Sequence, residues 1–124
     1  MNTQLIVALD FDQLSEAEAL VDRLGDAVSY FKVGKQLFTR NGPAALAALK
    51  SRRKQIFLDL KFHDIPNTVA QAVRVGIELG ADMINVHAGG GRAMLEAAAA
   101  AAREANPEAL LVAVTVLTSL DQAA

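Results

Sequence analysis

The chain has 124 residues, enough for one domain with a hydrophobic core. Its net charge is −2, so no broad basic surface points to nucleic acid or an anionic membrane as partner. It has no cysteine, which excludes a disulfide framework, a cysteine nucleophile and a thiolate metal site, and fits a reducing cytoplasm. With neither a signal-peptide pattern nor ~18 consecutive apolar residues, we expect a cytoplasmic, non-membrane protein.

Hydrophobic periodicity predicts strands and helices that alternate along the chain. Short apolar runs with no polar alternation are typical of strands buried on both faces of a parallel sheet. The predicted elements, in chain order, are a strand at 5–10, a helix at 15–24, a strand at 29–33, a helix from 43, a strand at 56–62, a helix from 68, a strand at 82–87, a helix to about 106 and a strand at 110–117.

Local signals mark where several of these helices begin and end. Ser15 and Glu18 have the spacing of a capping box, which predicts a helix start at that point. Gly25 and Gly80 are typical of helix C-termini, and Pro107 prevents the last helix from continuing. Pro43 suits the first turn of the helix that it precedes.

The predicted strands begin roughly 24 to 28 residues apart, and each of the first four is followed by a helix. This alternation predicts an α/β fold with a parallel sheet and right-handed crossovers, as a single domain over residues 1–124. Both an open, doubly wound sheet and part of a (β/α)8 barrel agree with the pattern, which does not decide between them.

The most informative stretch is residues 56–68. Asp59 and Lys61 lie two apart within an apolar run, so on a strand their side chains point to the same face. Buried charges are normally paired, and Asp64 follows at the expected end of the strand. The simplest interpretation is a structural ion pair, but α/β enzymes also place their chemistry where strands end.

Residues 58–68, LDLKFHDIPNT, contain Asp-x-Lys-x-x-Asp and resemble the active-site signature of the orotidine 5′-phosphate decarboxylase family. The segments VALDFD, FKVGKQLF, NVHAGGG and VTVLTS resemble the same family in the same order, so the likeness extends from Leu5 to about Leu120. Related sugar-phosphate decarboxylases share the shorter motif, whereas HDIPNT favours the orotidylate enzymes. The resemblance implies a (β/α)8 TIM barrel, here its first four βα units and strand five.

The resemblance also implies decarboxylation of orotidine 5′-monophosphate to uridine 5′-monophosphate, the last step of de novo pyrimidine synthesis, with neither metal nor organic cofactor. Loss of CO2 leaves an electron pair in the plane of the ring, where the π system cannot delocalise it. Stabilisation must then come from preorganised charge beside C6. A lysine ammonium is both compact charge and proton donor, so Lys61 is predicted to protonate C6 while Asp59 holds it in place.

Further site residues are assigned by the resemblance alone. Lys32 is predicted to complete a catalytic Lys-Asp-Lys-Asp array with Asp59, Lys61 and Asp64 and to contact ribose, although by residue type it is simply a solvated lysine. Asp10 is predicted to bind the ribose hydroxyls, with a loop-capping aspartate as the alternative. Either Thr118 or Ser119 is predicted to meet the pyrimidine ring.

The resemblance implies two protein partners besides the nucleotide substrate. In a homodimer, Asp64, Ile65 and Thr68 would reach the partner subunit's site. The phosphate-binding groups of the family lie beyond residue 124, in a complementary C-terminal half. A complete barrel needs about 250 residues, so we expect the chain to be the first part of a longer enzyme, inactive in isolation and with unpaired strand edges.

Several alternatives remain open at the level of sequence. One is a metal-assisted sugar-phosphate decarboxylase, and another is a noncatalytic half-barrel module. A third is a doubly wound nucleotide-binding domain that uses Gly89–Gly91, although these glycines more simply form a tight turn. His63 and His87 lack further ligands at metal-site spacing, so we expect them to pack. The basic cluster at 50–54 is expected to be a solvated helix end.

Overall fold

The computed structural model describes residues 2–123 and shows one sheet of five strands flanked by helices. The strands are β1 (Ile6–Ala8), β2 (Tyr30–Gly34), β3 (Gln55–Phe62), β4 (Met83–His87) and β5 (Leu110–Val114). The helices are α1 (Leu14–Leu24), α2 (Lys35–Asn41), α3 (Ala44–Ser51), α4 (Pro66–Glu78) and α5 (Arg92–Ala105), with 3₁₀ turns at Gly25–Ala27 and Ala88–Gly90. None of the helices within residues 2–123 has the length and apolarity needed to cross a bilayer.

The strands lie side by side in the order in which they occur in the chain, and every neighbouring pair is parallel. A doubly wound sheet reverses its strand order at a switch point, and this sheet has no such reversal in the described part of the chain. Adding each strand beside the previous one is how the wall of a (β/α)8 barrel is built. The predicted α/β barrel topology is therefore favoured, and the doubly wound alternative does not fit.

One face of the sheet carries the hydrophobic core. Leu58 and Ile84 are almost fully buried there beneath α4, which approaches closely because residue 76 is a glycine. A Cβ at Gly76 would lie 2.6 Å from Ile84 Cδ1 and 3.2 Å from Leu58 Cδ2. Other buried members of the core, from β2, β3 and β4, are Phe31, Val33, Ile56 and Val86.

The other face of the sheet is apolar where the strands begin and polar where they end. Parallel pairing aligns the carboxyl ends of all five strands, so side chains from different strands meet at this end. On β5, Leu110 and Val112 remain 55% and 40% exposed because no element of residues 2–123 covers them. The polar residues towards the carboxyl end of this face are Lys32, Asp59, Asn85 and His87, one each from β2 and β3 and two from β4.

Three details of the predicted secondary structure are wrong. The helix predicted at Ser15 begins at Leu14 with Gln13 as its N-cap residue, and no side chain caps it, because Ser15 already lies in the first turn. The strand predicted to reach residue 117 ends at Val114, and the chain then turns across the end of the sheet. Helix α2 was not predicted, since its seven residues follow β2 without a loop.

The basic cluster after α3 is not a solvated helix end. Lys50 Nζ lies 2.7 Å from Asp82 Oδ2, and Arg52 pairs with both Glu18 and Asp22. Lys54 Nζ donates to two backbone carbonyls, at 2.7 and 2.8 Å. These contacts tie the start of the sheet to the neighbouring helices, so the cluster stabilises the end of the fold opposite the polar residues.

Candidate active site

The carboxyl end of β3 departs from regular strand geometry. Leu58 pairs with Ile84 and Phe62 pairs with Val86, so three residues of β3 face a single intervening residue of β4, Asn85. Within this bulge Lys61 has a left-handed backbone, with φ of 51°. Bulges redirect side chains and are common next to active sites. Here the Lys61 ammonium reaches the Asp59 carboxylate, with Nζ 2.7 Å from Oδ1.

Four charged side chains alternate in sign from the loop after β1 across β2 and β3. Lys32 Nζ lies 3.3 Å from Asp59 Oδ2 and 3.6 Å from Asp10 Oδ1. The series Asp10–Lys32–Asp59–Lys61 is therefore continuous, and the structure brings together these four predicted residues. A Cβ at residue 34 would lie 3.2 Å from Lys32 Nζ, so Gly34 leaves the ammonium its space.

Asp59 is the most enclosed member of this array, with a side chain 11% exposed. Burial opposes its ionisation, but hydrogen bonds from Lys61 and Asn85 and the charges of Lys32 and Lys61 outweigh that effect. The pKa of the Asp59 carboxyl consequently lies below its usual value. The centre of the site is thus a fixed carboxylate held between two ammonium groups.

A cleft of about 400 Å³ opens beside this array. Its walls include Asp59, Lys61 and Asn85 on one side and the segment after β5 on the other. Thr118 and Ser119, the two candidates for the predicted hydroxyl contact, both line the same cleft as Lys61. Polar groups around a concave space next to a charged array are typical of a small-molecule site.

Asp64, Ile65 and Thr68 lie outside the array. Asp64 Oδ1 accepts a hydrogen bond from the Ile65 amide at 2.7 Å and makes no ion pair within the described chain. Ile65 is 65% exposed, directly before α4. A second cleft, of about 410 Å³, is lined by Asp64, Thr68 and the other side of Lys61. These three predicted residues therefore face outward from this chain.

The family model described as "Orotidine 5'-phosphate decarboxylase / HUMPS family" matches residues 3–124. The chain belongs to this family. Among curated relatives, the orotidine 5'-phosphate decarboxylase of Moorella thermoacetica is 56% identical over 126 residues, with 98% of this chain and 50% of that protein covered. That of Halorhodospira halophila is 55% identical, with 97% of this chain and 51% of that protein covered.

Solved structures of family members have the same fold. The orotidine 5'-phosphate decarboxylase of Lactobacillus acidophilus superposes with a TM-score of 0.88 at 37% identity, covering 97% of this chain and 56% of that one. The enzyme of Methanocaldococcus jannaschii, complexed with the inhibitor BMP, gives a TM-score of 0.77 at 29% identity, with coverage of 83% and 48%. The predicted TIM-barrel fold is thus confirmed, and the chain spans about half the length of the relatives it matches.

Sequence reasoning missed one residue of the site, Asn85. Its side chain is buried, with the residue 2% exposed, and its Nδ2 donates to Asp59 Oδ1 at 2.7 Å. A signal was present, because Asn85 is a polar residue inside an otherwise apolar strand, and a buried amide needs partners. The segment NVHAGGG was instead considered for its histidine and glycines.

The two histidines pack against each other beside the array. The rings of His63 and His87 are stacked, with centroids 5.1 Å apart and planes inclined by 22°. His87 Nδ1 accepts a hydrogen bond from the Gly89 amide at 3.2 Å, within the 3₁₀ turn at Ala88–Gly90. The predicted packing role and the predicted tight turn both agree with this arrangement. Within residues 2–123 no three histidine or carboxylate side chains cluster as metal ligands would.

Proposed function

We propose that this chain supplies the chemical half of an enzyme that decarboxylates orotidine 5′-monophosphate to uridine 5′-monophosphate. The observation that carries the proposal is the alternating array Asp10–Lys32–Asp59–Lys61 beside an open cleft. Family membership and the names of the curated relatives support this substrate. The reaction uses neither a metal nor an organic cofactor.

Lys61 is the acid in the proposed reaction. The bond from C6 to the carboxylate breaks, CO2 leaves, and the electron pair stays on C6. The Lys61 ammonium stabilises that pair and then donates its proton to C6, which yields the product and leaves a neutral amine that solvent reprotonates. Asp59 keeps Lys61 in place through the 2.7 Å contact, so the charge is preorganised before the bond breaks.

The remaining residues of the array bind substrate in this proposal. Lys32 and Asp10 contact the ribose, for which their 3.6 Å ion pair provides a donor and an acceptor side by side. Either Thr118 or Ser119, which both line the opposite wall of the cleft, holds the pyrimidine. Binding energy from the phosphate comes from the complementary half of the barrel, and it helps to drive the reacting groups together.

The proposed active form is a homodimer of completed barrels. Asp64, Ile65 and Thr68 reach the site of the partner subunit, and their outward position in this chain supports that role. Residues 1–124 then form the N-terminal part of a single barrel domain. The isolated chain is inactive because it lacks the phosphate-binding loops.

The experiment follows the ultraviolet absorbance of orotidine 5′-monophosphate with the chain alone and after addition of the unmatched half of the Moorella thermoacetica relative. We expect turnover only in the mixture and a fall of at least about 10²–10⁴-fold in Lys61→Ala, the usual contribution of a general acid. Lys50→Ala is the matched control, because Lys50 makes an equally short ion pair, 2.7 Å, at the opposite end of the sheet.

Other outcomes decide between the alternatives. Undiminished turnover in Lys61→Ala would contradict the assigned acid. Turnover of a sugar phosphate that a metal chelator abolishes, with none of orotidine 5′-monophosphate, would favour the metal-assisted sugar-phosphate chemistry of the wider family. Assembly of a stable mixture with no turnover of orotidine 5′-monophosphate would favour a noncatalytic half-barrel.

A further inference from the structure

We propose that Asn85 is a positioning residue that sets the location of the Lys61 ammonium. The inference rests on the proposed function only for the role of Lys61 as acid. Its structural content is independent of that role, because it concerns how an unfavourable backbone conformation at residue 61 is maintained.

The bulge of β3 makes residue 61 depend on Asn85. Lys61 has φ of 51°, an unfavourable left-handed conformation that an L-residue keeps only where its surroundings enforce it. Asn85 is the single β4 residue opposite the bulge, and its Oδ1 accepts the Lys61 backbone amide at 2.9 Å. The side chain of Asn85 thus takes the place of the backbone carbonyl that a regular ladder would offer.

The nitrogen end of the Asn85 side-chain amide holds the carboxylate that Lys61 contacts. Asn85 Nδ2 donates to Asp59 Oδ1 at 2.7 Å, and that oxygen is also 2.7 Å from Lys61 Nζ. One buried side chain therefore fixes both the backbone of Lys61 and the ionic partner of its ammonium. If the Asn85 amide were flipped, its NH2 group would face the Lys61 N–H and its oxygen would face the Asp59 carboxylate. Both contacts therefore require the observed orientation of the amide.

Neither aspartate nor alanine can replace Asn85 in this role. Aspartate retains an acceptor for the Lys61 amide but has no donor for Asp59, and it adds a second carboxylate beside the first. Alanine has neither group. Without the amide, β3 is free to relax towards a regular strand, in which a shift of one residue turns a side chain to the opposite face.

The test uses isotope-labelled chain assembled with the unlabelled complementary half of the Moorella thermoacetica relative. Backbone chemical shifts of Lys61 report its conformation, the Asp59 carboxyl shift reports its titration, and the same samples give kcat and KM. Asp82→Ala is the matched control, because Asp82 Oδ2 accepts the Ile56 amide at 2.8 Å and so ties β3 to the start of β4 at the opposite end of the sheet.

In Asn85→Ala we expect the backbone chemical shifts of Lys61 to lose the values typical of a left-handed conformation. We also expect kcat to fall about 10²-fold, the cost of a displacement near 1 Å, with a much smaller change in KM. In Asn85→Asp, Lys61 keeps those shifts because the acceptor remains, but the Asp59 carboxyl titrates at higher pH. Asp82→Ala should change neither readout at Lys61. If Asn85→Ala does not assemble, the Asn85→Asp sample carries the test.

Left-handed shifts that persist at Lys61 in Asn85→Ala would overturn the inference, as would an unchanged titration of Asp59 in Asn85→Asp. Neither result depends on turnover. Conversely, the expected chemical shifts in a mixture that never decarboxylates orotidine 5′-monophosphate would leave Asn85 as the residue that positions Lys61 and would reject the proposed function instead.

Discussion

Asp59 is the residue on which the site depends most. Asp59 accepts hydrogen bonds from Lys61 and Asn85, and its carboxylate lies 3.3 Å from Lys32 Nζ. Its side chain is largely buried, with 11% exposed. A buried charge with one partner removed is strongly unfavourable, whereas the complete set of partners offsets desolvation. Because the hydrogen bonds favour the carboxylate, the low pKa of Asp59 is linked to the pH dependence of folding.

Asp59→Asn should make the free energy of unfolding less dependent on pH in the acidic range. The folded-state pKa of Asp59 lies below the unfolded value of about 3.9, so its contribution is present above that pH and is lost as pH falls through the folded pKa. We therefore expect the free energy of unfolding of the unmodified chain to fall more steeply than that of Asp59→Asn between about pH 5 and pH 2. Urea denaturation across this range measures both slopes. The exposed Asp26→Asn serves as control, and equal slopes for all three proteins would contradict the prediction.

At the scale of residues, the sequence predicted the charged side chains of the site better than the contacts that position them. Asp59 and Lys61 stand out because charge is rare within an apolar strand, and family resemblance added Asp10 and Lys32. The left-handed φ of Lys61 and its dependence on Asn85 arise from a bulge between two strands. Neither residue type nor spacing in a single strand specifies where such a bulge falls, so this part of the site required the structure.

At the scale of elements, the end of α3 shows how local chemistry stops a helix. Arg53 has φ of 57°, its amide donates to the Lys50 carbonyl at 2.9 Å, and the Lys54 amide donates to the Leu49 carbonyl at 3.1 Å. This is the Schellman pattern, whose left-handed position usually belongs to glycine. An arginine at this left-handed position is conformationally unfavourable. Within residues 2–123, the Arg53 side chain makes no ion pair that would offset this cost.

Arg53→Gly should stabilise the chain by about 0.5–1 kcal/mol. Glycine removes the left-handed penalty of about 1–2 kcal/mol but loses more backbone entropy on folding, so the net gain is smaller than the penalty. Arg40→Gly is the control, because it removes the same charge from an exposed position in the last turn of α2, where glycine should cost up to about 1 kcal/mol. Thermal or urea unfolding of both variants decides, and a destabilised Arg53→Gly would contradict the prediction.

Gly76→Ala should destabilise the packing of α4 by about 1–2 kcal/mol, since overpacking outweighs the gain in helix propensity. The new Cβ would lie 2.6 Å from Ile84 Cδ1, and Ile84 has no exposed surface into which it can move. Ile84→Val removes that methyl group, so the double variant should recover part of the penalty. A double-mutant cycle by urea denaturation measures the coupling. Purely additive effects would show that the contact with Ile84 is not the cause.

Sequence signals located most elements but not all of them. Gly25 and Gly80 follow helices as predicted, with φ of 51° and 115°, because left-handed C-termini favour glycine over other residues. The capping box failed because the same side chain is compatible with a cap or with the first turn. Helix α2 was missed because seven residues give too little periodicity to separate a helix from the end of a strand.

For the whole molecule, the alternation of strands and helices predicted a parallel sheet, while resemblance alone predicted a barrel. The structure supplies the sequential strand order, and the Moorella thermoacetica relative is about twice as long as this chain. Two consequences of the five-stranded sheet are visible. β1 and β5 each have an edge without a partner strand among the described residues, and the face of β5 turned away from the helices is open.

We therefore expect the chain alone to associate through β5 and the complementary half of the barrel to suppress this association. Exposed apolar strand edges pair with other chains unless they are covered or charged. Val112→Lys should lower the weight-average mass measured by sedimentation at rising concentration. Val75→Lys is the matched control, because Val75 is 41% exposed on α4 and Val112 is 40% exposed on β5. If Val75→Lys lowers the mass and Val112→Lys does not, the chain associates through its helices and not through β5, which would contradict the prediction.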